Sequence, residues 1–226
     1  MRWLNEEKWD VDIEHAASAH NISANLIRAI IATESQFRPG TSRTEAAIGD
    51  KSVGLMQILV KTARGEGYTG DVGDPTALTG LYEPANNVFF GASYLATQYR
   101  RAGGDVSRTF SAYNGGWRPE LGFGTRATQR VTVCLARDTT GKCVKSRVVN
   151  PGEFGNQPYV DAALANYNYF QAKASSGGGS SPLHPPVSDN ESKTDGRVDG
   201  TPVGTSRASF WKALIDCFHA WFRHDG

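Results

Sequence analysis

A single glutamate ends the most apolar helical segment of the sequence. Leu26, Ile30 and Glu34 follow one another at intervals of four, so the carboxylate lies on the face that its apolar neighbours bury. Burial disfavours the charged form of a carboxyl group, and a position at a helix C-terminus adds repulsion from the helix dipole. Both effects raise the pKa of Glu34 and favour a proton donor near neutral pH, as general acid catalysis on a sugar leaving group requires.

The same spacing has a structural interpretation. A glutamate in the last turn of a helix can face solvent, or it can pair with Arg38, and the periodicity alone favours these alternatives. Three later segments change the balance toward catalysis. They are Gly54-Leu55-Met56-Gln57, then Asn87 with Gly91 and Tyr94-Leu95, then Ala112-Tyr113-Asn114-Gly115-Gly116.

These segments hold groups that suit a carbohydrate ligand. Gly54 permits a close approach of the backbone to a ligand. The amides of Gln57 and Asn114 hydrogen-bond acetamido groups, and Tyr113 offers a ring face and a hydroxyl. Structural alternatives stay open, because Met56 is a common core filler, Tyr113 can be a core aromatic, and Asn114 with its glycine can be a turn.

A second carboxylate is missing from the pattern. Glycosidases ordinarily use one as nucleophile or as the base that activates water. Glu45, Asp50 and Glu83 are the candidates, and nothing in the sequence places any of them opposite Glu34. Attack of the C6 hydroxyl of muramic acid on its own C1 needs only one carboxylate. Glu34 would protonate the glycosidic oxygen and then accept the C6 hydroxyl proton, giving an anhydro sugar without consuming water.

In this order and with these gaps, the four segments resemble the catalytic domain of soluble lytic transglycosylases, which is similar to goose-type lysozyme. The match covers Ile22 to Trp117, with a weaker echo at Tyr159. The resemblance implies a lysozyme-like domain that cleaves peptidoglycan with Glu34 as the sole acid and base. It also implies a set of substrate-binding residues around that acid: Ser35, Met56, Gln57, Tyr113, Asn114 and Tyr159.

The expected fold class is α+β, mainly α. Helices are predicted over Glu6–His20, over Ala24–Ser35 with Ser23 as N-cap, from Pro84 to a stop at Gly103-Gly104, over Val106–Tyr113 and over Pro158–Ala172. The polar stretch from Arg43 to Lys51 is expected to be a loop. Asp50-Lys51-Ser52-Val53 departs from the short lead-in that the family places before its glycine.

Alternating apolar residues predict a β-hairpin over Arg130–Asn150, an insertion relative to the family. Cys134 and Cys143 flank its turn, so a disulfide and two free thiols both remain open. No second cysteine pair or close histidine pair completes a zinc site, and we expect neither a metal nor a cofactor. A net charge of +1 without a basic cluster gives no indication of nucleic-acid binding.

The sequence divides into three predicted regions. They are a lysozyme-like domain over residues 1–172, a flexible linker over 173–207, and an amphipathic helical anchor over 208–226. The apolar face of residues 209–223 is expected to bind a protein partner, with a membrane surface and the catalytic domain as alternatives. No run of 18 apolar residues and no secretory signal is visible, so we expect delivery by a phage particle, a lysis system or a secretion machine.

The expected activity is therefore that of a peptidoglycan lytic transglycosylase acting in the periplasm or cell wall. It would cleave the β-1,4 bond between MurNAc and GlcNAc, leave a 1,6-anhydromuramic product, and open the wall locally for a phage particle or envelope machine. Two alternatives remain. One is a hydrolytic muramidase, and the other is a non-catalytic structural component that keeps the lysozyme-like groove.

Overall fold

Helices dominate the computed structural model, which describes residues 3–138 and 140–176. The α-helices in this part of the chain are α1 Asp10–His20, α2 Ala24–Glu34, α3 Val60–Gly65, α4 Pro84–Arg101, α5 Val106–Gly115 and α6 Gln157–Ser176. The strands are β1 Ser42–Glu45, β2 Asp50–Val53, β3 Ile58–Leu59, β4 Val131–Arg137 and β5 Cys143–Val149. The prediction of a mainly helical α+β fold is confirmed.

Helix α2 forms as the spacing predicts. The Ser23 hydroxyl accepts a hydrogen bond from the Asn25 amide at 3.2 Å and so caps the first turn. The apolar face packs against α1 and α6, and its members are fully or almost fully buried: Leu26, Ile27, Ile30 and Ile31. Burying four such side chains contributes on the order of 6–12 kcal/mol of transfer free energy, which holds the end of α2 in place.

The stretch from Arg43 to Lys51 is not a loop, contrary to the prediction. Strands β1, β2 and β3 form an antiparallel sheet in that order, with Glu45 opposite Asp50 and Val53 opposite Ile58. Strand β1 is polar and largely exposed, so it lacks the apolar alternation by which a strand is recognised. Backbone pairing with β2 holds it instead.

The predicted hairpin is present as β4 and β5. Val133 and Val149 point inward and pack with Phe123. A disulfide joins Cys134 to Cys143, whose Cα atoms lie 5.8 Å apart. Of the two open alternatives for the thiols, the structure therefore has the disulfide.

Helix α6 continues to Ser176, so residues 173–176 are helical although the sequence assigned them to the linker. The rest of the predicted linker and the amphipathic segment 208–226 lie outside the described residues, and the three-region division stays a prediction. Within the described part of the chain, no helix has the length and apolar character needed to cross a bilayer.

Candidate active site

Glu34 is the last residue of α2, and its half-buried carboxylate receives a hydrogen bond from the Tyr159 hydroxyl at 2.7 Å on Oε1. Burial raises the pKa of Glu34 to about 7, although the Tyr159 hydrogen bond and the charge of Arg43 act in the opposite direction. Arg38 forms no ion pair with Glu34, and its Nε donates to the Ser35 carbonyl at 3.1 Å. Near neutral pH the carboxyl group is therefore available both as acid and as base.

Tyr159 reaches Glu34 from the first turn of α6. Burial and the neighbouring Glu34 charge raise the pKa of its hydroxyl well above the ordinary value, so Tyr159 remains a neutral donor. The packing of α2 against α6 sets this contact, which brings the predicted late tyrosine to the predicted acid.

Tyr113 links α5 to the turn before β3, and the charge of Glu34 acts on its hydroxyl. Its hydroxyl donates to the Met56 carbonyl at 2.9 Å, and only 8% of the residue is exposed. Burial, together with the charge of Glu34, raises the pKa of Tyr113 well above its ordinary value. The ring centroid of Tyr94 lies 5.3 Å from that of Tyr113. Tyr113 therefore fixes the turn relative to α5 and stays protonated.

The Gly54–Gln57 turn is held by the fully buried Asn87. Asn87 Oδ1 accepts from the Met56 amide at 2.8 Å, and its Nδ2 donates to the carbonyls of Val53 and Leu81 at 2.9 Å each. Gly54 has φ +77°, and a Cβ there would collide with the Asn87 side chain. The glycine and the asparagine of two separate motifs thus form one structural unit.

The amide hydrogens of Gln57 are used inside the protein. Its Nε2 donates to the carbonyls of Thr41 and Gly54 at 2.9 Å each, while Oε1 accepts from the Ser52 hydroxyl at 3.4 Å. Gln57 therefore braces the turn against the sheet. For the predicted contact with a sugar acetamido group, only Oε1 remains, and it could accept one further hydrogen bond.

Met56 and Ser35 are also buried. The Met56 side chain is fully buried against Gly91, where the sulfur leaves no room for a Cβ. Ser35 is 1% exposed, and its hydroxyl donates to the Ile31 carbonyl at 3.2 Å. Both positions support the site through packing, and for Met56 this favours the alternative interpretation as a core filler.

Asn114 is exposed at the end of α5. Its Oδ1 accepts from Asn156 Nδ2 at 2.9 Å, and within the described residues no group accepts a hydrogen bond from Asn114 Nδ2. The amide nitrogen is therefore available to a ligand. Asn156 itself is buried, accepts from the Ser111 hydroxyl at 2.9 Å, and links α5 to the segment before α6. Sequence reasoning missed Asn156, since one asparagine before a proline-containing helix start carries no distinctive signal.

Arg43 was not predicted to belong to the site, and Glu45 was named only as a possible second carboxylate. Strand β1 brings both close enough to Glu34 for their charges to act on it, Arg43 lowering and Glu45 raising its pKa. The two are paired with each other at 2.6 Å, and the Ser52 hydroxyl oxygen lies 3.3 Å from Glu45 Oε1, which it can donate to in place of Gln57. The sequence offered no reason to place Glu45 near the acid. That reason would have come from recognising strand β1, which carries Glu45 toward Glu34.

Similarity to known proteins agrees with the motifs. Residues 12–122 match the family described as Transglycosylase SLT domain. A transglycosylase of Enterobacteria phage PRD1 is 31% identical over 109 residues, covering 48% of this chain and 35% of the phage protein. The membrane-bound lytic murein transglycosylase C of Yersinia enterocolitica is 33% identical over 113 residues, covering 46% of this chain and 30% of that protein.

Among solved structures, an inactive mutant of the lytic transglycosylase Slt from Pseudomonas aeruginosa aligns with a TM-score of 0.48 and 18% identity. The alignment covers 74% of this chain and 24% of that chain. Residues 12–122, which match the Transglycosylase SLT domain, include all four motifs, so the predicted resemblance to this family is confirmed. The chain spans about a third of the length of the curated relatives it matches.

Proposed function

We propose that this chain is a peptidoglycan lytic transglycosylase that cleaves the β-1,4 bond between MurNAc and GlcNAc and leaves a 1,6-anhydromuramic end. The observation that carries the proposal is the half-buried Glu34 carboxyl, hydrogen-bonded to Tyr159, with a pKa raised to about 7 by burial. Such a group donates a proton to a leaving oxygen and takes one back in the same catalytic cycle.

The proposed reaction needs no catalytic acid or base other than Glu34. Its carboxylic acid gives a proton to the glycosidic oxygen as the bond from C1 to that oxygen breaks, and the carboxylate accepts the proton of the C6 hydroxyl. The C6 oxygen then bonds to C1, so that Glu34 ends protonated and no water enters. Because Tyr159 donates to Oε1, we assign Oε2 as the oxygen that exchanges the proton with the sugar.

Hydrolysis is the second candidate, and the position of Glu45 favours it. Its charge acts on Glu34, so a second carboxylate lies near the acid, as hydrolysis with a general base requires. In that reaction water, activated by Glu45, would attack C1 in place of the C6 hydroxyl. The product would carry a reducing end.

The role of the reaction in its host is a further part of the proposal. We propose local opening of the wall for a phage particle or envelope machine, which the similarity to the phage PRD1 transglycosylase supports. A protein partner for residues 209–223, with a membrane surface as the alternative, is proposed from the sequence pattern alone.

The test is digestion of purified sacculi by the wild type and by Glu34→Gln, followed by mass spectrometry of the released muropeptides. We expect products lighter by one water than reducing muropeptides, and a loss of about 10³-fold or more in rate for Glu34→Gln. Reducing ends as the main product would replace transglycosylation by hydrolysis. Binding of sacculi without cleavage by the wild type would favour the non-catalytic structural alternative.

A further inference from the structure

Three arginine side chains contact two aromatic rings, Trp117 and Phe123, which follow the Tyr-Asn-Gly-Gly segment in sequence. The guanidinium carbons of Arg101 and Arg108 lie 4.6 Å and 5.3 Å from the ring centroid of Trp117. The guanidinium carbon of Arg118 lies 4.3 Å from the ring centroid of Phe123. We call Arg101, Arg108, Trp117 and Arg118 the arginine cluster. A cation held against an aromatic ring needs no carboxylate to position it, and this applies to Arg101 on Trp117.

The backbone that carries the cluster is tightly constrained. Arg118 and Phe123 form an antiparallel bridge with hydrogen bonds of 3.1 and 3.0 Å between their main chains. The backbone of Gly124 lies so close to the indole of Trp117 that a Cβ would clash with the ring. Arg118 Nε also donates to the Gly115 carbonyl at 2.9 Å. A site built this way loses little conformational entropy when a ligand binds.

Arg101 is the member with the most unused hydrogen-bonding capacity. Arg108 Nε donates to the Gly124 carbonyl at 3.2 Å, and the charge of Glu120 acts on Arg118. In the part of the chain that the structure describes, Arg101 forms neither an ion pair nor a hydrogen bond. The contact with the Trp117 ring uses no hydrogen-bond acceptor, so the N–H groups of Arg101 remain free for a planar anion.

The cluster lies at the end of a helix face that begins at the candidate active site. Asn87, Tyr94 and Arg101 are spaced by seven residues on α4, which places them on one face. Asn87 holds the Gly54–Gln57 turn, and the ring centroid of Tyr94 lies 5.3 Å from that of Tyr113. Arg101 follows Tyr94 by two turns, about 10 Å along the helix axis. Arg101 is thus about 10 Å along the axis from the Tyr94–Tyr113 pair and about 21 Å from Asn87 at the turn, distances that a peptide extending from a bound sugar can span.

We propose that Arg101, supported by Trp117 and with Arg108 beside it, binds a carboxylate of the peptide carried by the muramic acid of the cleaved strand. This inference rests on the proposed function. The peptide extends sideways from its sugar and carries free carboxylates, and a guanidinium recognises a carboxylate through two parallel hydrogen bonds. The arginine cluster would thereby select strands that bear peptides and set their register relative to Glu34.

The experiment compares two substrates: glycan strands with intact peptides, and the same strands after an amidase has removed the peptides. The enzymes are the wild type, Arg101→Ala, Arg101→Lys and the control Arg100→Ala. Arg100→Ala removes the same charge from the same helix turn. Arg100 is exposed, and among the residues that the structure describes its side chain donates only to the Thr97 hydroxyl, at 3.3 Å. Thermal unfolding of each variant, followed by circular dichroism, reports on folding.

We expect Arg101→Ala to lower kcat/KM on peptide-bearing strands about tenfold more than on stripped strands, mainly through KM. Arg101→Lys keeps the charge but loses the planar fork, so its preference for peptide-bearing strands should lie between those of the wild type and the alanine variant. Arg100→Ala should keep the wild-type ratio between the two substrates. Equal losses on both substrates for Arg101→Ala would overturn the inference. Failure of the wild type to cleave either substrate would instead contradict the proposed function.

Discussion

The Tyr159 hydroxyl lies 2.7 Å from Oε1 of Glu34, although 125 residues separate the two in sequence. The contact exists because α2 packs against α6 with both side chains at the same end of the helix pair. The hydrogen bond stabilises the ionised carboxylate, whereas burial stabilises the protonated acid. The balance between the two sets the pH at which Glu34 changes from acid to base.

The substitution Tyr159→Phe removes that hydrogen bond. The bond lowers the pKa of Glu34, so its loss raises the pKa above the present value of about 7. The limb of the pH profile of kcat/KM that reports Glu34 should move to higher pH. The control is Tyr167→Phe on the same helix, because the Tyr167 hydroxyl contacts Gln171 at 3.0 Å and not Glu34. An unchanged profile for Tyr159→Phe would disprove the electrostatic role.

The second prediction concerns the pair on β1. Glu45→Gln should lower the pKa of Glu34, since the charge of Glu45 raises it, and Arg43→Gln should raise that pKa, since the charge of Arg43 lowers it. The pH profiles of the two variants should therefore shift in opposite directions, and the double variant should lie between them. Because Arg43 is largely exposed, its effect should weaken as salt increases from 0.05 M to about 0.5 M. Shifts in the same direction would contradict this assignment.

Periodicity predicted the helices of the site but not the contacts between them. Leu26, Ile30 and Glu34 share a face because the helix repeat requires it, so the position of the acid could be predicted from its neighbours. The contact of Tyr159 with Glu34 depends on how α6 packs, and only the family resemblance indicated it. Strand β1 was missed because its side chains are polar and exposed, and backbone pairing leaves no pattern in the side chains.

The roles of polar site residues were harder still to predict. An amide such as Gln57 looks the same in a sequence whether it faces a sugar or, as here, the carbonyls of Thr41 and Gly54. Asn87 and Gly54 appeared as separate motifs, yet they are in direct contact. Such roles depend on tertiary geometry that has no periodic signature.

The third prediction compares two glycines that share a left-handed backbone. Gly49 has φ +56° and open space around it, whereas Gly54 has φ +77° and lies against Asn87. Gly49→Ala should cost about 1–2 kcal/mol of unfolding free energy from backbone strain alone. Gly54→Ala should cost about 1–3 kcal/mol more because its Cβ is forced into a packed site. Urea denaturation measures the unfolding free energy of both variants. If the two lose the same amount relative to the wild type, Asn87 is not a rigid neighbour of Gly54.

Gly54→Ala should also reduce activity, while Gly49→Ala should leave it close to wild type. The added Cβ displaces Asn87, which holds the Met56 amide, and the Met56 carbonyl in turn receives the Tyr113 hydroxyl. A displacement there is transmitted to Tyr113 beside the acid. Rates on sacculi, measured at a temperature where both variants are folded, separate this effect from the loss of stability.

The last prediction follows from the raised pKa of Glu34 and concerns stability against pH. The folded-state pKa is about 7 against an ordinary value of 4.5, so between these values the folded protein binds more protons than the unfolded chain. The contribution of Glu34 to the unfolding free energy therefore falls as pH rises through this window and becomes constant above it. The loss is at most about 3 kcal/mol, since each unit of pKa shift corresponds to about 1.4 kcal/mol.

Glu34→Gln removes the titration and should be more stable than the wild type at pH 8, with a much smaller difference at pH 4.5. The variant would thus be inactive and stabilised at once, because the buried acid that serves catalysis destabilises the fold when ionised. Glu120→Gln, at an exposed carboxylate, provides the control and should show no such pH-dependent gain. Urea denaturation of the three proteins at the two pH values measures the difference. A gain for Glu34→Gln that is equal at both pH values would mean that the gain arises from packing and not from the ionisation of Glu34.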